Sequence, residues 1–127
     1  MTIGYVTIGA VDVEAARRFF DATLGALGYE RLASLEDRTL YGPKGGEPCI
    51  GVRRPYNGRP ARAGNGIMVG LKAQTKAQVQ TAHAAALAAG GTDEGAPGFR
   101  PESATSGFYA AYFRDPVGNK FCAYLMA

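Results

Sequence analysis

The residues able to carry chemistry are few, and their types restrict the reactions open to this chain. It has one histidine, His83, and two cysteines, Cys49 and Cys122, which lie far apart and outside any CxxC or Cys/His spacing. A nucleophilic cysteine needs a nearby base to form its thiolate. The sequence therefore favours two free thiols in a reducing compartment over a disulfide framework, and a single histidine on a helix supports no Ser/His/Asp set.

A second group of candidates is aromatic or cationic, which is the usual composition of a small-molecule site with flat apolar walls and a few polar handles. The same tyrosines could equally complete the core or a dimer interface, where tyrosine is also common. The group comprises Tyr5, Tyr124, one of Tyr109 and Tyr112, and one of Arg53 and Arg54.

The element that best positions these residues is the segment 113–125, with the sequence FRDPVGNKFCAYL. Asp-Pro suits the early positions of a turn and Gly-Asn tolerates positive φ, so the segment predicts a β-hairpin. Side chains alternate along a strand, so Phe121, Ala123 and Leu125 are expected to face the core. The other face, with Cys122 and Tyr124, is expected to form the wall of a cleft.

Each half of the chain contains the same succession of elements. In the first half, a strand at 4–8 leads to Asp12, a helix cap, and to an amphipathic helix that Gly28 ends, followed by three short strands. In the second half, a strand at 67–71 leads to Thr75 and to an alanine-rich helix that ends at Gly90.

Shifting the first half by 63 positions superposes strand, cap, helix and stop, with Val6 on Val69 and Gly28 on Gly91. A shift of 73 positions superposes Cys49 on Cys122 near the end of each half. The first shift also places His83 on the outer helix, so a Cys/His pair is not expected.

Two βαβββ modules of this size predict one α+β domain over 1–127, with module one at about 1–55, a linker at 56–63 and module two at about 64–127. Each module has a helix for one face of its sheet and an uncovered edge. We expect the modules to pair into a U-shaped mixed sheet with the helices outside and a cleft inside. Pairing within one chain and pairing between two chains both satisfy the pattern.

Composition excludes several classes of function. Apolar residues make up 46% and charged residues 20% of the chain, and no apolar run approaches the roughly 20 residues that span a bilayer. The N-terminus, MTIGYVTIGA, lacks a basic region, so we expect no secretory signal and a cytoplasmic protein. A net charge of +3 without a continuous basic stripe argues against nucleic-acid binding.

Together these motifs resemble the vicinal oxygen chelate superfamily, which includes glyoxalase I, extradiol dioxygenases, fosfomycin resistance enzymes and the bleomycin resistance protein. The resemblance rests on the repeated module, on Asp12 before an Ala-Arg-Arg-Phe-Phe helix, on Gly64-Asn65-Gly66 and on the DPVGN turn at 115–119. It covers nearly the whole chain, and it implies a ligand cleft and a homodimer.

In metal-dependent members of that superfamily, histidine or glutamate side chains of the two halves bind a divalent ion. The corresponding positions here hold Tyr5, Cys49, Met68 and Cys122, none of which is His, Asp or Glu. Hard and borderline divalent ions prefer carboxylate and imidazole ligands. The sequence therefore predicts no metal and no other cofactor. A soft thiolate and thioether site at these four residues remains the alternative to simple packing.

The function predicted from the sequence is metal-free binding, in the cleft, of a small aromatic or anionic molecule, as in sequestration by the bleomycin resistance protein. The alternative is a metal-dependent glyoxalase-like lyase or dioxygenase. A dimer without any ligand would instead fill the cleft with its own side chains. The candidate cleft residues are Tyr5, Cys49, Arg53, Arg54, Met68, Tyr109, Tyr112, Cys122 and Tyr124.

Overall fold

Each half of the chain folds as a βαβββ module in the computed structural model, which describes residues 1–127. The first module comprises β1 (Val6–Gly9), α1 (Val13–Gly25), β2 (Tyr29–Ser34), β3 (Arg38–Pro43) and β4 (Ile50–Arg53). The second comprises β5 (Met68–Lys72), α2 (Lys76–Ala88), β6 (Thr92–Phe99), β7 (Phe108–Arg114) and β8 (Lys120–Met126). The predicted α+β class and the repeated module are confirmed.

The helix boundaries follow the side-chain chemistry read from the sequence. The Asp12 carboxylate accepts a hydrogen bond from the Ala15 N–H at 3.1 Å, and the Thr75 hydroxyl accepts one from the Gln78 N–H at 3.1 Å. Both bonds pair amide groups that have no partner within the helix. Gly28 adopts a φ of 88°, a left-handed conformation that favours glycine after a helix.

The two sheets have the same topology. The strand order is β1-β4-β3-β2 in the first sheet and β5-β8-β7-β6 in the second. In each sheet the first strand of the module runs parallel to the last, and the remaining neighbours are antiparallel. No strand pairing joins the sheets within the chain, so the expected U-shaped sheet is present as two separate halves.

One hydrophobic core joins the modules. The Phe20 ring of α1 lies 6.2 Å from the Tyr41 ring of its own sheet and 5.5 Å from the Phe121 ring of the second sheet. Phe19 reaches Phe113 of the second sheet, with ring centroids 6.1 Å apart. The helices therefore lie in a shared core, rather than on the outside of a continuous sheet.

The turn between β7 and β8 is built on a buried carboxylate. Asp115 accepts hydrogen bonds from the N–H groups of Val117, Gly118 and Asn119, while burial raises the pKa of its carboxyl group against the opposing effect of these donors. The Asn119 side chain donates to the Gly9 carbonyl at 3.1 Å. This hairpin of the second module is thereby tied to the first module.

The largest difference from the sequence prediction lies between α2 and β7. The sequence from Gly95 to Gly107 lacks a regular pattern and predicts an irregular segment with at most a short strand, whereas β6 begins at Thr92 and extends to Phe99. Its pairing with β7 shifts register twice, so it lacks the regular alternation by which strands are recognised.

Candidate functional site

The helices cover one face of each sheet. The other face, here called the outward face, is the one that a ligand can reach. Strand alternation places Thr7, Gly51 and Arg53 on the outward face of the first sheet, opposite the core residues Ile8 and Val52. A cavity of about 540 Å³ lies on this face. That volume is in the range of small-molecule sites.

This cavity, here called the module-one cavity, has an apolar floor and polar ends. Its apolar lining consists of Tyr5, Leu40, Pro48, Ile50 and Gly51. Its polar lining consists of Thr7, Arg38, Glu47 and Arg53. Tyr5 retains 71% of its accessible surface, so its ring forms an open wall of the cavity.

A shared carboxylate holds the two arginines of the module-one cavity in place. Asp37 accepts hydrogen bonds from Arg38 Nε at 3.0 Å and from Arg53 Nη2 at 3.4 Å. Hydrogen bonding to Arg38, opposed by slight desolvation, lowers the pKa of the Asp37 carboxyl group. The carboxylate is therefore charged at neutral pH and orients both guanidinium groups.

The outward face of the second sheet carries four other candidates and is closed. Met68, Cys122, Tyr124 and Tyr112 all lie on this face by register. Tyr124 stacks on Phe108 with ring centroids 5.5 Å apart, and Cys122 retains only 3% of its surface. Burial raises the pKa of the Cys122 thiol, although the Leu71 N–H and the charge of Lys120 oppose that effect.

The remaining three candidates lie neither in the module-one cavity nor on the outward face of the second sheet. Tyr109 belongs to the core and its hydroxyl accepts a hydrogen bond from Gln80 of α2 at 2.9 Å. Cys49 packs against the core beside Tyr29, whose hydroxyl pKa is raised by burial and by the neighbouring thiol. Arg54 is exposed and does not line the module-one cavity. The candidates found in that cavity are Tyr5 and Arg53.

The sequence did not identify Arg38, Leu40, Glu47 or Gly51 as site residues. The sequence predicts the second of the three short strands after the first helix at 39–41, and the structure extends this strand, β3, to Arg38–Pro43. Arg38 lies opposite Arg53 in the register of β3 and β4. Alternation from Arg53 would have identified Arg38 and Leu40 once the strand limits were known.

The strand registers also correct the alignment of the two halves. Val6 pairs with Ile50, and its equivalent Val69 pairs with Phe121, so Ile50 corresponds to Phe121 and Gly51 to Cys122. Cys49 is therefore displaced by two positions from the residue that matches Cys122. Tyr5 and Met68 remain equivalent, one on each sheet.

The residues at the superfamily's metal-binding positions do not fit a divalent ion. After the corrected alignment these are Tyr5, Gly51, Met68 and Cys122, and no three His, Cys, Asp or Glu side chains of the chain converge on one point. The Tyr5 phenol and the Met68 thioether are poor ligands for hard or borderline cations, and Gly51 has no side chain that could bind one. These four positions therefore do not supply the carboxylate and imidazole ligands that such an ion prefers.

The only histidine lies outside both outward faces. His83 of α2 is buried, and its Nε2 lies 2.9 Å from the Asp93 carboxylate of β6. Hydrogen bonding to His83 lowers the pKa of Asp93. The pair fastens α2 to the edge strand of the second sheet, and the imidazole has no position from which to serve as a base for either cysteine.

Two βαβββ modules around a shared core, with uncovered outward faces, define the vicinal oxygen chelate superfamily that the sequence motifs resemble. A glyoxalase-like domain family model matches residues 5–124. The chain belongs to this family.

Solved structures support the same assignment. A glyoxalase/bleomycin resistance protein from Albidiferax ferrireducens is 40% identical, with 95% of each chain covered and a TM-score of 0.83. A glyoxalase-related enzyme from Fulvimarina pelagi is 17% identical, with 98% of this chain and 87% of that chain covered and a TM-score of 0.73. A glyoxalase/bleomycin resistance protein/dioxygenase family enzyme from Burkholderia phytofirmans is 19% identical over 100% of both chains, with a TM-score of 0.72. Among curated proteins, none matches the chain.

Neither helix is long and apolar enough to cross a membrane.

Proposed function

We propose that this protein binds a small aromatic or anionic molecule in the module-one cavity and sequesters it without a metal ion. The observation that carries the proposal is the cavity of about 540 Å³, whose floor is apolar and whose edge carries Arg38 and Arg53. Apolar walls with a few fixed polar groups are the usual design of such sites. The nearest functional analogy, to bleomycin resistance, rests on the fold, which supports several activities.

A homodimer is the second part of the proposal. Tyr5 and Met68 retain 71% and 45% of their surface on the two outward faces, and Ile67 and Met126 retain 67% and 68%. The outer edges of β1 and β5 also have no strand partner. A second copy would cover these residues and could set the aromatic face of its module two against the module-one cavity. The two free thiols favour the reducing cytoplasm as the compartment.

The test combines elemental analysis of the purified protein with thermal-shift screening against divalent ions and aromatic acids and amines. A ligand that binds only the folded state at one hundred times its Kd adds about 2.7 kcal/mol to the free energy of unfolding. We expect stabilisation by an organic compound in protein that contains no stoichiometric metal, and a dimer by light scattering.

A stoichiometric divalent ion, with stabilisation lost on adding a chelator, would instead support the glyoxalase-like lyase or dioxygenase. Failure of every organic compound to stabilise the protein would contradict the proposal.

A further inference from the structure

The polar groups of the module-one cavity lie at its two ends. Arg38 and Arg53 face each other across β3 and β4 at one end, and Leu40 faces Gly51 in the middle. Gly42, two residues beyond Leu40, packs against the backbone of Glu47 at the other end. Gly42 is four positions along β3 from Arg38, which is about 13 Å at the usual rise of an antiparallel strand.

The arginine end has hydrogen-bond donors to spare. Asp37 accepts hydrogen bonds from Nε and Nη2 of Arg38 and from Nη2 of Arg53. Arg53 Nε donates to the Arg54 carbonyl at 3.0 Å. The Nη1 group of each arginine makes no hydrogen bond within the protein. Two oriented guanidinium groups with free donors suit a carboxylate, which accepts such bonds through two oxygens.

The opposite end is anionic. Glu47 lines the cavity, is exposed and takes part in none of the chain's ion pairs. The arginine end has a formal charge of +1, because Arg38 and Arg53 share one Asp37. Glu47 contributes −1, so the charges of the cavity cancel in total but are separated along its length.

From this arrangement we infer that the ligand is a zwitterion with an apolar, ring-sized middle, its carboxylate on Arg38 and Arg53 and its amine on Glu47. This inference rests on the proposed function and specifies the chemical class of the ligand. A simple anion would satisfy one end of the cavity and leave the Glu47 carboxylate without a partner. A simple cation would do the reverse.

Three matched compounds test the charge pattern by calorimetric titration of the intact protein. They are 4-(2-aminoethyl)benzoic acid, which carries both charges, 4-ethylbenzoic acid, which carries the carboxylate, and 4-methylphenethylamine, which carries the amine. We expect the zwitterion to bind about tenfold more tightly than the amine compound, which leaves the arginine end without a partner. We expect it to bind about threefold more tightly than the carboxylate compound, because the Glu47 carboxylate is exposed to solvent.

Two variants assign the ends. Arg53→Gln should weaken the zwitterion and the carboxylate compound by about tenfold and leave the amine compound unchanged. Glu47→Gln should weaken the zwitterion and the amine compound by about threefold, a smaller effect because the carboxylate is exposed to solvent. Arg54→Gln, which removes the neighbouring arginine outside the cavity, is the matched control and should change none of the three affinities.

The outcomes separate this inference from the proposed function. Binding of 4-ethylbenzoic acid as tight as that of the zwitterion, or indifference of the zwitterion to Glu47→Gln, would overturn the inference while the small-molecule site stands. No measurable binding of any of the three compounds, together with no hit in the thermal-shift screen, would overturn both.

Discussion

The outward faces of the two modules have the same strand order and register but differ in how they are filled. Where the first sheet has Gly51, the second has Cys122, and where the first has Arg53, the second has Tyr124. The glycine leaves room for a cavity of about 540 Å³. At the equivalent place in module two, a buried thiol and an aromatic ring occupy the surface.

The closed face is held together by its aromatic side chains. Tyr124 stacks on Phe108 with an interplanar angle of 24°, and its ring packs against the backbone at Gly70. Neither Tyr124 nor Cys122 lines the module-one cavity. The same module therefore has a cavity on its outward face in the first half of the chain. In the second half, its own aromatic side chains fill that face.

The largest effect on stability is expected from a substitution in the core that the two modules share. Phe20 is almost fully buried and contacts both sheets, so Phe20→Ala should lower the free energy of unfolding by about 3–5 kcal/mol. Amide exchange should show reduced protection in both modules. Loss of protection in module one alone would contradict the shared core.

Opening the closed face should have the next largest effect. Tyr124→Ala removes the stack on Phe108, and we expect a loss of about 2 kcal/mol in the free energy of unfolding together with faster alkylation of Cys122. Tyr56→Ala is the control, because Tyr56 retains 96% of its surface. Unchanged alkylation in Tyr124→Ala would show that the ring does not cover the thiol.

Filling the module-one cavity should make the outward face of the first sheet resemble that of the second. The Cβ of a residue at position 51 would lie 3.4 Å from Leu40 Cδ2, an ordinary contact, so Gly51→Val should fold and place its methyl groups in the cavity. We expect at least about a tenfold loss of affinity for the zwitterionic compound, equal to about 1.4 kcal/mol, with little change in stability. Gly25→Ala, at the end of α1, is the control and should bind normally, because the added Cβ meets no atom within 4 Å.

The smallest effect is on the pH dependence of Cys122. Because burial raises the pKa of this thiol, it keeps its proton to higher pH than a solvent-exposed cysteine does. The midpoint of its alkylation rate against pH should therefore move upward in the folded protein and return to the ordinary value in urea. A midpoint equal in both states would mean that Cys122 is open to solvent.

Sequence reasoning was most successful where local chemistry determines structure. The caps at Asp12 and Thr75, the stop at Gly28 and the turn around Asp115 each depend on residues within a few positions of one another. The repeat of these signals was sufficient to predict two βαβββ modules and their superfamily.

The site was harder to predict because it depends on register across strands. Matching Cys49 to Cys122 by sequence shifted the last strand by two positions, which hid Gly51 as the cavity floor. Tyr109 was a candidate because tyrosines suit both core and cleft, and only the pairing of β7 with β8 places it on the core side. The packing of both sheets on one core, where Phe20 contacts Tyr41 and Phe121, has no local signal in the sequence.

The most direct test is a crystal structure of the protein with 4-(2-aminoethyl)benzoic acid bound. We predict the compound on the outward face of module one, with its ring over Gly51 and Leu40, its carboxylate between Arg38 and Arg53, and no metal ion within reach. Density for the compound on the outward face of module two instead, or a divalent ion bound beside Tyr5 in the module-one cavity, would contradict the account.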